Sequence, residues 1–201
     1  MPLLVLDPGH GGRDPGAHGR HMREKDVNLQ VCLLLREALT RCGITVAMTR
    51  DKDTERVPGV TEGVDLKARA MLANTNGADL FVSWHFDASS DPRVHGVAVW
   101  IHPSQKDKHA YHKAGLLAYH IATATNQKNR GVYLGDFQVL RDTMMDALLI
   151  EGGFLTSPEE EARIMQPGFL HLQAEGAARA ICQIFGLPYR LPEAAPVTVG
   201  A

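Results

Sequence analysis

A chain of 201 residues, 44% apolar and 22% charged, is long enough for one domain with a proper core and has the composition of an ordinary globular protein. Its formal net charge of −2 leaves no electrostatic footprint for nucleic acid, and no basic run marks a membrane surface. No stretch of about 18 apolar residues could span a bilayer. The cysteines Cys32, Cys42 and Cys182 include no CxxC pair, and Cys32 and Cys42 fall in one expected helix roughly 15 Å apart at 1.5 Å per residue, too far for a disulfide.

In chain order, residues 3–6 are four apolar residues that read as a buried strand, stopped by Pro8-Gly9. His10 follows just past the strand's end, and Gly11, Gly12, Gly16 and Gly19 let the backbone turn tightly around it. The chain starts at this strand with no charged leader and apolar segment, so the expectation is either release without a signal peptide or a leader already removed. Residues 24–41 repeat apolar side chains at three- and four-residue spacing and predict a helix, with Gly43 as its stop. Residues 44–48 predict a second strand, 51–63 a polar turn region, and 65–76 a second helix. Residues 80–84 predict a third strand ending at His85, and 97–101 a fourth. A helix is expected over 108–125 and a short edge strand over 138–140. Residues 147–150 predict the last strand, ending at Glu151. Ser157 as N-cap, Pro158 at the first helical position and the acids after it open another helix, and 168–185 predict a terminal one. From Leu187 onward, three prolines and many small residues predict a tail or a truncated linker over 187–201, leaving 1–186 as the single domain. Strands alternating with helices predict an α/β fold: a mostly parallel or mixed twisted sheet with helices on both faces.

Polar residues thus end three separate apolar strands: His10, His85 and Glu151. Ligand sites in open α/β sheets form beyond the carboxyl ends of parallel strands, and two histidines with one carboxylate make a catalytic zinc set that keeps a fourth position for water. Glu24, joined to His10 by the glycine-rich loop, is a candidate third ligand, which would leave Glu151 as a base near the bound water. Glu24 can equally be a first-turn acid favoured by the helix dipole, and His21 is a rival ligand. A strand-end carboxylate such as Glu151 needs a reason to follow four buried residues. His109 and His112 stand at helical i, i+3 spacing and are read as surface residues. Trp84 and Trp100 are read as core, with a sugar groove as the alternative.

The motifs His10-Gly11-Gly12-Arg13-Asp14-Pro15-Gly16-Ala17, Glu24-Lys25-Asp26, Ala73-Asn74, Ser83-Trp84-His85 and Ala147-Leu148-Leu149-Ile150-Glu151-Gly152-Gly153-Phe154-Leu155 resemble, in this order, those of the zinc-dependent N-acetylmuramoyl-L-alanine amidases, type 3 catalytic domain. The resemblance spans residues 3–186. It implies that His10, Glu24 and His85 bind Zn2+ and that Glu151 is the catalytic glutamate. It further implies a peptidoglycan substrate, cleavage of the amide between the lactyl group of N-acetylmuramic acid and L-alanine, and action at the cell wall, outside the cytoplasm. A monomer without membrane insertion is expected. The sequence departs from the family at Phe86-Asp87, which replace a small residue and Asn, and at Asp146, which replaces a proline before the final strand. Some relatives carry a long insertion before that strand whose helix plugs the site; residues 131–146 are too short for one, so an open groove is expected. The alternatives are a zinc peptidase acting within the stem peptide and a wall-binding module without turnover.

Overall fold

A computed structural model describes residues 1–105 and 108–192. Twelve elements alternate along the chain: β1 (Leu3–Pro8), α1 (Glu24–Arg41), β2 (Thr45–Met48), α2 (Glu62–Thr75), β3 (Leu80–Asp87), β4 (Val97–Ile101), α3 (Lys108–Thr125), β5 (Asn129–Leu134), α4 (Gln138–Arg141), β6 (Ala147–Phe154), α5 (Pro158–Ile164) and α6 (Phe169–Ile184). A single 3₁₀ turn, Pro103–Gln105, follows β4. The strands form one six-stranded sheet in the order β2-β1-β3-β6-β4-β5. Its pairings are parallel except β4 with β6, so β4 and β5 run against the other four strands. The sheet is mixed, one of the two arrangements that the alternation of strands and helices predicts.

The helices are divided unequally between the two faces. Leu4, Leu6, Val82, Trp84, Leu148 and Ile150 point into a large core with α1, α3, α5 and α6. Val5, Phe81, Ala147 and Leu149 point the other way, into a smaller cluster with residues of α2 and α4. The period-2 alternation of each strand sends successive side chains to opposite faces, and both faces are apolar because helices lie on both. Among the described residues, the helices that cover the second face are α2 and the four-residue α4. The carboxyl ends of β1 and β3 are left beside an open cleft.

Three expectations need correction. Residues 138–140 do not form an edge strand. They form the helical turn α4, whose Val139 and Leu140 are buried against the sheet; three residues are too short a window to separate the two periodicities. The edge strand beside β4 is β5, whose sequence NRGVYL shows no alternation of burial; like β2 at the other edge, it pairs on one side only. Finally, His85 and Glu151 do not stand past strand ends. β3 continues to Asp87 and β6 to Phe154, and His85 lies opposite Glu151 in their parallel ladder. Gly152 sustains that extension: a Cβ there would lie 2.9 Å from Trp84 Nε1 and 3.0 Å from Phe86 Cζ, closer than van der Waals contact permits.

The Ser157 cap forms as expected, its side chain accepting from the Glu160 N–H. The three cysteines are free and buried. Of the segment 187–201, residues 193–201 lie outside the described residues. Before them, the Tyr189 hydroxyl donates to Glu175, Arg179 sits 4.2 Å over the Tyr189 ring, and Arg41 donates to the Arg190 carbonyl at 2.9 Å. The chain is therefore docked on α1 and α6 as far as Arg190. No helix among the described residues is long and apolar enough to cross a membrane.

Candidate metal centre

The centre begins where β1 stops. His10 has a φ of 60°, a left-handed conformation that costs an ordinary L-residue about 1–2 kcal/mol. Two buried arginines hold it there. Arg69 donates to the His10 carbonyl at 2.9 Å and to the Pro8 carbonyl at 3.0 Å. Arg50 donates to the carbonyls of Gly9 at 2.8 Å and Pro8 at 2.9 Å. Arg69 is in turn fixed by Asp7 at 3.0 Å and Asp65 at 2.7 Å. Burial opposes the charge of Asp7, but the Arg69 guanidinium and the hydroxyls of Thr49 and Ser83 outweigh it and hold the carboxyl below its ordinary range. An array of hydrogen-bonded charges beneath the loop thus sustains one strained residue.

Glu24, at the first turn of α1, lies between two imidazoles. Its Oε2 is 3.0 Å from His10 Nε2 and its Oε1 is 2.9 Å from His85 Nδ1. Backbone N–H groups of Ala17 and Phe86 also donate to this carboxylate. Burial resists ionisation of Glu24, yet hydrogen bonds and charge from His10 and His85 keep its carboxyl far below the usual range. On the far side of the first imidazole, His10 Nδ1 is 2.6 Å from Asp14 Oδ2. Burial disfavours the charged form of His10, but Glu24 and Asp14 raise its proton affinity on balance. Glycines make room for the cluster. A Cβ on Gly9 would lie 2.2 Å from the His85 ring, and one on Gly16 would lie 2.5 Å from Glu24 Oε2.

Donor atoms of His10, Glu24 and His85 all lie within 4.8 Å of one another, and among the described residues these three form the group able to hold a metal ion. Two imidazoles and one carboxylate fit a hydrolytic zinc site that leaves a coordination position free. Asp14 fits the carboxylate that fixes the tautomer of a ligating imidazole.

Glu151 faces the same cleft, a cavity of about 730 Å³ lined by His10, Glu24, His85, Asp87 and Glu151 among others. Its Oε2 is buried without a hydrogen-bond partner. Burial first, then the neighbouring charges of Asp87 and Glu24, push its carboxyl well above the ordinary range. An unpaired buried carboxylate is costly to keep, and such groups concentrate where chemistry uses them.

The structure therefore brings together all four residues singled out in the sequence. His21 is exposed, and its N–H donates to Glu161 at 2.6 Å; it is no part of the cluster. His109 and His112 are exposed on α3. Trp84 is fully buried and Trp100 partly so. Sequence reasoning did not find the roles of Arg50 and Arg69, because a buried arginine carries no periodic signal, and Asp14 stood out only as one member of a motif.

Fold and site together define an α/β protein that carries a candidate metal-binding donor set and a separate carboxylate with a buried, unpaired oxygen in one cleft. The chain belongs to the N-acetylmuramoyl-L-alanine amidase family, which it matches over residues 4–183. It is 31% identical over 189 residues to the sporulation-specific N-acetylmuramoyl-L-alanine amidase of Bacillus subtilis (strain 168), covering 93% of this chain and 69% of that protein. It is 32% identical over 197 residues to the endolysin of Bacillus phage SPP1, covering 96% of this chain and 70% of that one. Its fold matches the catalytic domain of CwlV, an N-acetylmuramoyl-L-alanine amidase from Bacillus (Paenibacillus) polymyxa var. colistinus, with a TM-score of 0.83 at 31% identity, covering 94% of this chain and 100% of that chain.

Proposed function

We propose that this chain is a peptidoglycan hydrolase that cuts the amide joining the lactyl group of N-acetylmuramic acid to L-alanine, with zinc held by His10, Glu24 and His85 and with Glu151 as the catalytic acid–base. One observation carries the reading: a metal-type donor triad and an unpaired buried carboxylate oxygen share one cleft.

When bound, the metal supplies Lewis-acid polarisation of the scissile carbonyl and acidifies water. The chain's own groups do the rest. Glu151, its proton affinity raised by burial and by Asp87 and Glu24, accepts the proton of the attacking water as the new C–O bond forms. It then delivers that proton to the α-nitrogen of L-alanine as the C–N bond breaks. Asp14 orients the His10 ring through Nδ1, and Arg50 and Arg69 keep the loop that carries it from relaxing. Action at the cell wall and a monomeric state are part of the same proposal.

Product analysis on purified wall fragments tests it. Amidase action frees intact stem peptides with a new L-alanine N-terminus and leaves peptide-free glycan; a peptidase frees a different N-terminus, and a binding module frees none. Activity that survives exhaustive chelation would remove zinc from the mechanism.

A further inference from the structure

Beyond the cleft, the sheet face that carries Glu151 continues onto β4 and β5. In the ladder, Glu151 lies opposite Ala98 and Leu149 opposite Trp100; Ala98 then lies opposite Gly131 and Trp100 opposite Tyr133. Residues opposite one another share a sheet face. Next to the catalytic row, the same face thus carries a row of small residues, Gly131 and the buried Ala98, bordered by the aromatic row of Trp100 and Tyr133. Phe137, which lines the cleft, packs edge-on against Trp100 with ring centroids 5.4 Å apart, and the Tyr133 ring, tilted, lies 5.0 Å from Trp100. Gly135 permits this crowding, since a Cβ there would lie 2.5 Å from the Phe137 ring and 2.9 Å from Trp100. Tyr133 is 37% exposed and Phe137 36%. Asp136, exposed between them in sequence, is held by Arg141 and by His102 at 3.2 Å.

We propose that Trp100, Tyr133 and Phe137 form a subsite for the glycan strand, taking N-acetylhexosamine rings beyond the muramoyl residue whose amide is cut. The proposal rests on the amidase reading of the neighbouring site. Its argument is the unlike chemistry on the two sides of the catalytic row. The end toward β1 and β2 is lined by Arg13, Asp14, Glu55 and Glu62, which suits a stem peptide bearing charged groups. The β4–β5 end offers partly exposed ring surfaces, with Asp136 beside them. Exposed aromatic surface with a few fixed polar groups suits a neutral, hydroxylated pyranose, apolar on its C–H face and polar at its edge.

The test uses the full chain carrying Glu151→Gln, titrated with the hexamer of N-acetylglucosamine while tryptophan fluorescence is followed. Trp84 is fully buried, so a saturable change reports on Trp100. Tyr133→Ala and Phe137→Ala should each weaken binding about tenfold, the loss of one stacked ring, and Tyr133→Phe should restore it. In the active chain, Tyr133→Ala should lower by a similar factor the ratio of kcat/KM on a long-chain wall fragment to that on a single muramoyl dipeptide. No binding of the hexamer, or an unchanged ratio, overturns the subsite. A free stem peptide that produces the Trp100 signal in place of the sugar also overturns it. Hexamer binding by a chain that cuts neither substrate would instead leave the subsite standing and sink the amidase reading.

Discussion

Gly9→Ala tests the geometry of the centre through one added methyl group. Its Cβ would fall 2.2 Å from Cε1, 2.3 Å from Nε2 and 2.6 Å from Nδ1 of His85, whereas carbon contacts are comfortable only near ~3.5 Å. The imidazole must move by about 1.3 Å, the shortfall between these distances, or rotate away from the 2.9 Å contact with Glu24. Gly9 is not among the residues with positive φ, so alanine adds no left-handed strain to the backbone. The effect should therefore be carried by His85. A misplacement of about 1 Å in a reacting constellation costs on the order of 10²-fold in rate, or about 2.7 kcal/mol. Gly43→Ala is the matched control. Its φ is 84° and nothing lies within 4 Å of an added Cβ, so it adds strain without a clash. That strain of about 1–2 kcal/mol should lower Tm by roughly 2–4 °C for each kcal/mol and leave catalysis intact. The assays are metal content per chain, kcat/KM on a muramoyl dipeptide, and thermal denaturation. A Gly9→Ala protein with full metal content and native kcat/KM would refute the assignment of the His85 ring to the centre.

Three further outcomes follow from the same geometry. Glu24→Gln should weaken metal binding, whereas Glu151→Gln should keep metal and fold but lose about 10²–10⁴-fold in kcat; the reverse pattern in metal analysis and turnover would exchange the two roles. Asp7, held below its ordinary 3.8 by Arg69, contributes stability that is present above that pH and lost as pH falls toward the lowered native value. Asp7→Asn should thus flatten the acid limb of a Tm–pH profile and, by leaving Arg69 short of a partner, cost about 3–5 kcal/mol at neutral pH. Because residues 135–146 hold only the short α4 before β6, the isolated chain should digest walls without an activator; a folded, metal-loaded chain that is inert until a partner is added would contradict this.

The parts legible in the sequence are those in which local pattern and burial agree. β1 and α1 are such parts, since four apolar residues stopped by Pro-Gly and an apolar stripe at helical spacing each admit one local solution. The cap at Ser157 is legible for the same reason: it needs only its own turn. His85 and Glu151 stood out as polar residues directly after apolar runs, and His10 as the residue just past the Pro-Gly stop of another, each a local anomaly. Tertiary structure alone decided which of these residues meet. Nothing in residues 147–154 indicates that Glu151 lies opposite His85, or that β4 enters antiparallel beside it, because strand order and direction are set by pairing partners distant in sequence. The short α4 and the one-sided β5 were misread or missed because a three-residue window and an unpaired edge carry too little periodicity. Arg50 and Arg69 were invisible for a different reason. Their burial contradicts their hydropathy, and only the folded chain supplies the carbonyls of Pro8, Gly9 and His10 and the carboxylates of Asp7 and Asp65 that make a buried guanidinium stable.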